Sequence, residues 1–189
     1  MTAIADPTID DWIAALKTIG ACSLAVDWLR EQESCEQAWA TCKRGDDMLW
    51  LLGRLSGEPG SVARRKLVLC ACECARLATP YWPKDSSAIA TCLELAERWG
   101  RGDESVSPKI LRAAADAAGA AGAAADAAAD AADAADAAAG AAGAAYAAYA
   151  AAGAADAAGA AGAAGAGILK TAADIVRKHY PEPPALEKP

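Results

Sequence analysis

The chain has 189 residues, with 18 basic and 25 acidic side chains and a formal charge of −7. That length suits one domain of ordinary size, or a small domain with a helical extension. The charge is uneven: residues 1–112 carry −2, residues 113–166 carry −6 and the rest +1, so no basic patch is available to displace counterions from phosphates, and nucleic acid is excluded as the expected partner.

Thr8 is placed to cap a helix running through Ile19, with Trp12 and Leu16 on one face and Gly20 as its stop. Ser23 is a cap for the next helix, which carries Leu24 and Trp28 four apart. Ser34 and Gln37 fit a capping box, and behind them Cys35, Ala38, Trp39 and Cys42 have the spacing of one buried helical face. Gly45 reads as the stop of that helix and Asp46 as the cap of DMLWLLGRL, which is apolar nearly all round and so central. SGEPG at 56–60 is a turn, Ser61 to Ala78 a longer helix, and TPYWP at 79–83 its break. Asp85 or Ser86 starts a helix that ends at Trp99-Gly100. Ser107-Pro108 then starts another, with a capping hydroxyl followed by proline at the first helical position.

From 113 to 166 the chain is 38 Ala, 8 Gly, 6 Asp and 2 Tyr. Alanine has the best intrinsic helix propensity, so the tract reads as helical, although each Gly costs about 1 kcal/mol relative to Ala. Its marker residues recur every 3.4 positions on average from Asp116 to Gly140, near the 3.5 of a helical seam, and every 3.1 from Gly140 to Gly165. The change of period favours two helices folded back near Gly140-Gly143 over one long rod. After the tract, Ile168, Leu169, Ala172, Ile175, Val176 and His179 share a helical face that needs a core, and Pro181, Pro183 and Pro184 end the helix.

No stretch alternates with period two, and the fold class is all-α. Three regions are expected: a bundle of short helices over 1–106, an Ala-rich helical tract over 107–167, and a C-terminal helix with a Pro-rich tail over 168–189 that packs on the bundle. The bundle is expected to bury Trp28, Trp39, Leu49, Trp50 and Leu52. The odd number of cysteines and the absence of a basic-then-apolar leader in MTAIADPTIDDW point to free thiols in a reduced cytoplasmic protein. Ala137 to Ala155 is 19 uncharged residues, but it lacks the Leu, Ile, Val and Phe that drive insertion, so no membrane association is expected.

No catalytic constellation stands out. Cys70, Cys72 and Cys74 have C-x-C spacing inside a predicted helix, with Cys70 and Cys74 on one face and Cys72 pointing away. That pattern suits small buried hydrophobes better than the C-x₂₋₄-C pairs of zinc sites, and no metal or cofactor is expected. His179 has no Cys or Ser placed to pair with it, which leaves it a capping or surface role. Arg44-Gly45-Asp46 reads as a helix stop and cap, and Asp47 as a first-turn acid. The best candidate is the acidic stripe Asp126, Asp130, Asp133 and Asp136, at i, i+4, i+7 and i+10 with no base beside it. It reads as a solvated face first, then as a surface that steers a basic partner, with divalent-metal binding a distant third. Tyr146 and Tyr149, the large side chains of the tract, are the accompanying contact candidates.

Three segments carry a resemblance. Ala38, Trp39, Cys42, Arg44, Gly45, Asp46, Met48, Leu49, Trp50, Leu51 and Leu52 spell A-W-x-x-C-x-R-G-D-x-M-L-W-L-L, the Ala tract is dotted with Asp and Tyr, and Ala173 to Pro181 spells A-D-I-V-R-K-H-Y-P. Together they resemble a bacterial family of immunity proteins associated with polymorphic toxin systems; Asp47 stands where an aromatic is expected. The resemblance implies an α-helical, non-enzymatic, cytoplasmic protein that binds and neutralises a cognate toxin. The alternative is a structural or self-assembling Ala-rich helical protein without a toxin partner. The sequence sets no oligomeric state.

Overall fold

In the computed structural model of the chain, the residues described are 8–58, 60–81, 87–114 and 163–186, and among them the protein is all-helical, with no strand. No described helix is long and apolar enough to cross a membrane. The chain separates into two compact units: Met1–Cys42 with Tyr180–Pro189, and Lys43–His179.

The first unit holds α1 (Ile9–Thr18), α2 (Ser23–Leu29) and α3 (Cys35–Thr41). Thr8 caps α1 with a full capping box: its hydroxyl accepts from Asp11 N, and the Asp11 carboxylate accepts in return from Thr8 N at 3.0 Å. Gly20, at φ 86, takes the left-handed conformation that ends the segment. Ser34 caps α3 through Gln37 N at 3.1 Å, while the Gln37 side chain reaches one residue beyond the expected box, to Glu33 N at 2.7 Å. The apolar interior is built from Trp12, Ile13 and Leu16 of α1, Val26 and Leu29 of α2, and Cys35, Ala38, Trp39 and Cys42 around α3.

Two expectations fail on α2. Its cap position is Cys22, which makes no side-chain cap bond, and Ser23 is already helical. Trp28 is not buried; it stays 37% exposed and Leu24 79%, because this seven-residue helix turns its Val26–Leu29 edge inward instead. Two apolar residues four apart share a face, but the spacing does not say that the face is covered.

The second unit holds α4 (Gly45–Leu55), α5 (Val62–Ala75), a 3₁₀ turn (Arg76–Tyr81), α6 (Ser87–Gly100), helical residues 108–114, and α7 (Ala163–His179). Ser61 caps α5 through Arg64 N, and Ser107 caps the helical residues from 108 through Ile110 N. On one side α5 lies on α6, where Val68, Cys72 and Ala75 meet Leu93, Ala96, Trp99, Val106 and Leu111. On its other sides it meets α4 and α7. Small side chains along α5 let neighbours approach from both sides, so Cys72 does not point away as its position on the helical wheel suggests: it is 1% exposed, like Cys74.

In α4, Met48, Leu49, Leu51 and Leu52 are buried. Trp50 is only half-buried, contrary to expectation; it faces outward with the Arg54 guanidinium 5.3 Å from its ring centre. Asp46 is not the cap of α4 either. The cap position is Arg44, without a side-chain cap bond, and the helix begins at Gly45.

Candidate functional site

The second unit brings together the two strings that stood out in the sequence, R-G-D-x-M-L-W-L-L on α4 and A-D-I-V-R-K-H on α7. Gly45 is where they touch. A Cβ at this position would lie 2.5 Å from Ala173 N and 2.6 Å from the carbonyl carbon and Cβ of Ala172. Gly45 therefore does not serve as the stop of the preceding helix; it lets two backbones cross at a distance that no side chain permits. Further along, Arg177 Nη1 lies 3.9 Å from Met48 Sδ, across 129 positions of sequence, while Nη2 donates to Asp174 at 2.6 Å. Ala172, Ala173 and Val176 are fully buried here.

Charged groups gather at the start of α4. Arg44 donates from Nε and Nη2 to the two carboxylate oxygens of Asp46, at 3.0 and 2.5 Å, and Asp46 is buried. This is the bidentate geometry in which Arg matches a carboxylate best. Asp47 lies 3.7 Å from Arg44 Nε. Loss of solvation by partial burial, helped by the Asp46 charge and opposed by Arg44, pushes its carboxyl up to about 6, although 40% of the side chain remains exposed.

A second cluster joins α5 to α7. Glu73 accepts from Lys178 Nζ at 2.9 Å through one oxygen, and its other oxygen lies 2.8 Å from His179 Nε2. These two bonds, the histidine's first, hold the Glu73 carboxyl below its usual range. The sequence did not single out Glu73. The available signal was one acid on an otherwise basic and apolar α5, opposite an R-K-H last turn on another helix.

The cysteines near Glu73 are packing groups. Cys70, Cys72, Cys74 and Cys92 are all buried, and the Cys74 thiol points to the Ala172 carbonyl at 3.8 Å. Burial, with Glu97 nearby, pushes the Cys72 thiol up to about 12, and the contact with Cys70 together with burial raises Cys74 further. Such thiols hold their protons and are poor nucleophiles. Among the described residues no group of three His, Cys, Asp or Glu side chains is placed to hold a metal ion.

The acidic stripe of Asp126, Asp130, Asp133 and Asp136, and with it Tyr146 and Tyr149, lies outside the described residues. So does the fold-back expected near Gly140-Gly143. No protein-family model, curated protein or solved structure matches the chain.

Proposed function

We propose that the chain is a non-enzymatic binding protein of the immunity type, which holds and neutralises a cognate bacterial toxin in the cytoplasm. The observation that carries this reading is the crossing of α4 and α7. The R-G-D-x-M-L-W-L-L and A-D-I-V-R-K-H strings, on which the resemblance rests, meet at Gly45 and Ala172-Ala173. Met48, Leu49, Leu51, Leu52, Ala172, Ala173 and Val176 of these strings are buried, so in this reading the partner surface is to be sought outside the crossing.

Charge supports the same reading. The −6 of the Ala tract is not balanced by any base within it, and such a field attracts basic proteins and speeds their association. In this reading Asp126, Asp130, Asp133 and Asp136 steer the toxin and Tyr146 and Tyr149 anchor it. Among the described residues, these ionisable clusters are engaged internally: Asp46 with Arg44, Glu73 with Lys178 and His179, and Glu97 with Arg76 at 2.6 Å and Arg101 at 3.0 Å. That engagement favours a binding role over catalysis.

The test is co-expression with a toxin encoded beside this chain. Growth should be rescued, and the two proteins should co-purify at fixed stoichiometry. A neighbourhood without a toxin gene, or a toxin that is neither bound nor neutralised, would overturn the reading. Concentration-dependent oligomers of the chain alone, seen by sedimentation, would then favour the self-assembling alternative.

A further inference from the structure

The first unit carries nine acidic and three basic side chains, so it is negative well beyond the average of the chain. Five large apolar side chains stand exposed among the described residues, and two of them, Leu24 and Trp28, lie one turn apart on α2. A single exposed apolar residue is ordinary, but a pair on one seven-residue helix makes a face. Because α2 turns Val26 and Leu29 inward, Leu24, Asp27, Trp28 and Glu31 run along its outer side at i, i+3, i+4 and i+7. Apolar and acidic groups therefore share one exposed strip. Glu33 and Glu36 are exposed in the segment that follows.

The strip is fixed from behind. Gln32 Nε2 donates to the Trp28 carbonyl at 3.1 Å and its Oε1 accepts from the Thr41 hydroxyl at 3.4 Å, which ties the end of α2 to the end of α3. A surface held this way loses little conformational freedom when something binds to it. The base beside it, Arg30, turns to Asp27 in an exposed pair that solvent screens. Elsewhere in the chain Arg54 and Arg65 place their guanidinium groups 5.3 and 5.8 Å from the ring centres of Trp50 and Trp99. Trp28 offers the same kind of ring to a cation from outside.

Charge selects the occupant. A second copy would set the same acids against one another, and an anionic membrane surface would repel them. The segment 113–166, at −6, is no better matched. A protein segment rich in Lys and Arg is attracted, and its cations suit both the carboxylates and the indole. We propose that the Leu24–Trp28 face of α2, flanked by Asp27, Glu31, Glu33 and Glu36, is a docking surface for a basic protein segment that carries apolar anchors. The apolar pair supplies the contact that holds, and the acids supply attraction and orientation. The proposal is independent of the immunity reading, and its test uses no toxin.

The experiment titrates the isotope-labelled full chain with a synthetic peptide of about 14 residues, Lys and Leu alone in helical spacing. Amide shifts should be largest over residues 23–36, and binding should weaken as salt rises. Leu24→Gln combined with Trp28→Gln, both at exposed positions, should weaken binding about fivefold or more. A peptide of Lys alone should bind the wild type more weakly by a similar factor, which gives the same reading if the double variant does not fold. Absence of binding, shifts centred outside 23–36, equal affinity of wild type and folded double variant, or equal affinity of the two peptides overturns the proposal. A wild-type dimer seen by sedimentation and abolished in the double variant would assign the face to a second copy, and overturns it too.

Discussion

The Trp39 indole N–H donates to the main-chain carbonyl of Tyr180 at 2.8 Å, closing a gap of 141 positions with one hydrogen bond. Trp39 is 4% exposed, so this bond fixes the segment after α7 onto the interior of the first unit. Trp39→Phe keeps most of the apolar volume and should cost about 1 kcal/mol, the value of one hydrogen bond. Trp39→Ala should cost ~3–5 kcal/mol. Trp50→Ala should cost less than Trp39→Ala, roughly 1–2 kcal/mol, with the Arg54 contact contributing about 0.5–1 of it. Urea denaturation of the three variants orders them, and a Trp50→Ala loss larger than that of Trp39→Ala would contradict the packing described.

Gly45→Ala tests the α4–α7 crossing. The added methyl would have to displace the backbone of Ala172-Ala173, not the flexible end of a side chain. A cost of about 1–3 kcal/mol or more is expected from overpacking of this kind. Alanine is the better helix former, so a neutral or stabilising result would mean that the helices do not meet at this distance.

Asp47 predicts a pH dependence with a definite sign. Its carboxyl is raised from 3.8 to about 6 in the folded chain, so between these values the folded state holds more proton than the unfolded state. Stability from this group is fully present below about pH 4 and declines as pH rises through 6. Asp47→Asn should therefore be more stable than wild type at pH 7 and should lose that advantage below pH 4. Paired melts at the two values decide it, and a gain at pH 4 that vanishes at pH 7 would have the wrong sign.

Thiol accessibility tests the cysteine assignments. Cys22 is exposed and the other six are buried, so a disulfide reagent should find one fast equivalent in the folded protein and six slow ones that appear on unfolding. Cys22→Ser should remove the fast phase. Persistence of that phase would show that one of the six is open to solvent.

The acidic stripe makes a kinetic prediction about the proposed partner. Replacing Asp126, Asp130, Asp133 and Asp136 by Asn should slow association with the toxin and leave dissociation nearly unchanged. The wild-type rate should also fall as salt rises, with screening over about 8 Å at physiological ionic strength. An unchanged association rate at low salt would return the stripe to a solvated face.

Much of the helical order was readable because its signals are local. Thr8, Ser34, Ser61 and Ser107 each cap the helix that follows from within the next three residues. Which face of a helix is covered was not readable in the same way. The Leu24–Trp28 pair and the Cys35–Trp39 pair have the same spacing, yet the first faces solvent and the second is buried. Cys72 was misplaced because a helical wheel shows one helix and not the number of its neighbours. Glu73 and His179 carry no mutual signal at all, since their pairing exists only once α7 has returned to α5. Gly45 looked like punctuation because a glycine that permits close approach and one that ends a helix are the same letter.

The Trp39–Tyr180 bond also has a consequence for the order of events during synthesis. The first unit takes its helices from the opening 42 residues and its closing segment from residue 180 onward. At about 5–20 residues per second, the carbonyl that receives the Trp39 indole emerges on the order of ten seconds after Trp39 itself. The unit translated first is thus the last to be completed, and during that interval the Tyr180 carbonyl is not there to receive the indole. A ribosome stalled before residue 180 should present α1 to α3 in a form that proteases and chaperones still recognise, and release of the tail should end that recognition.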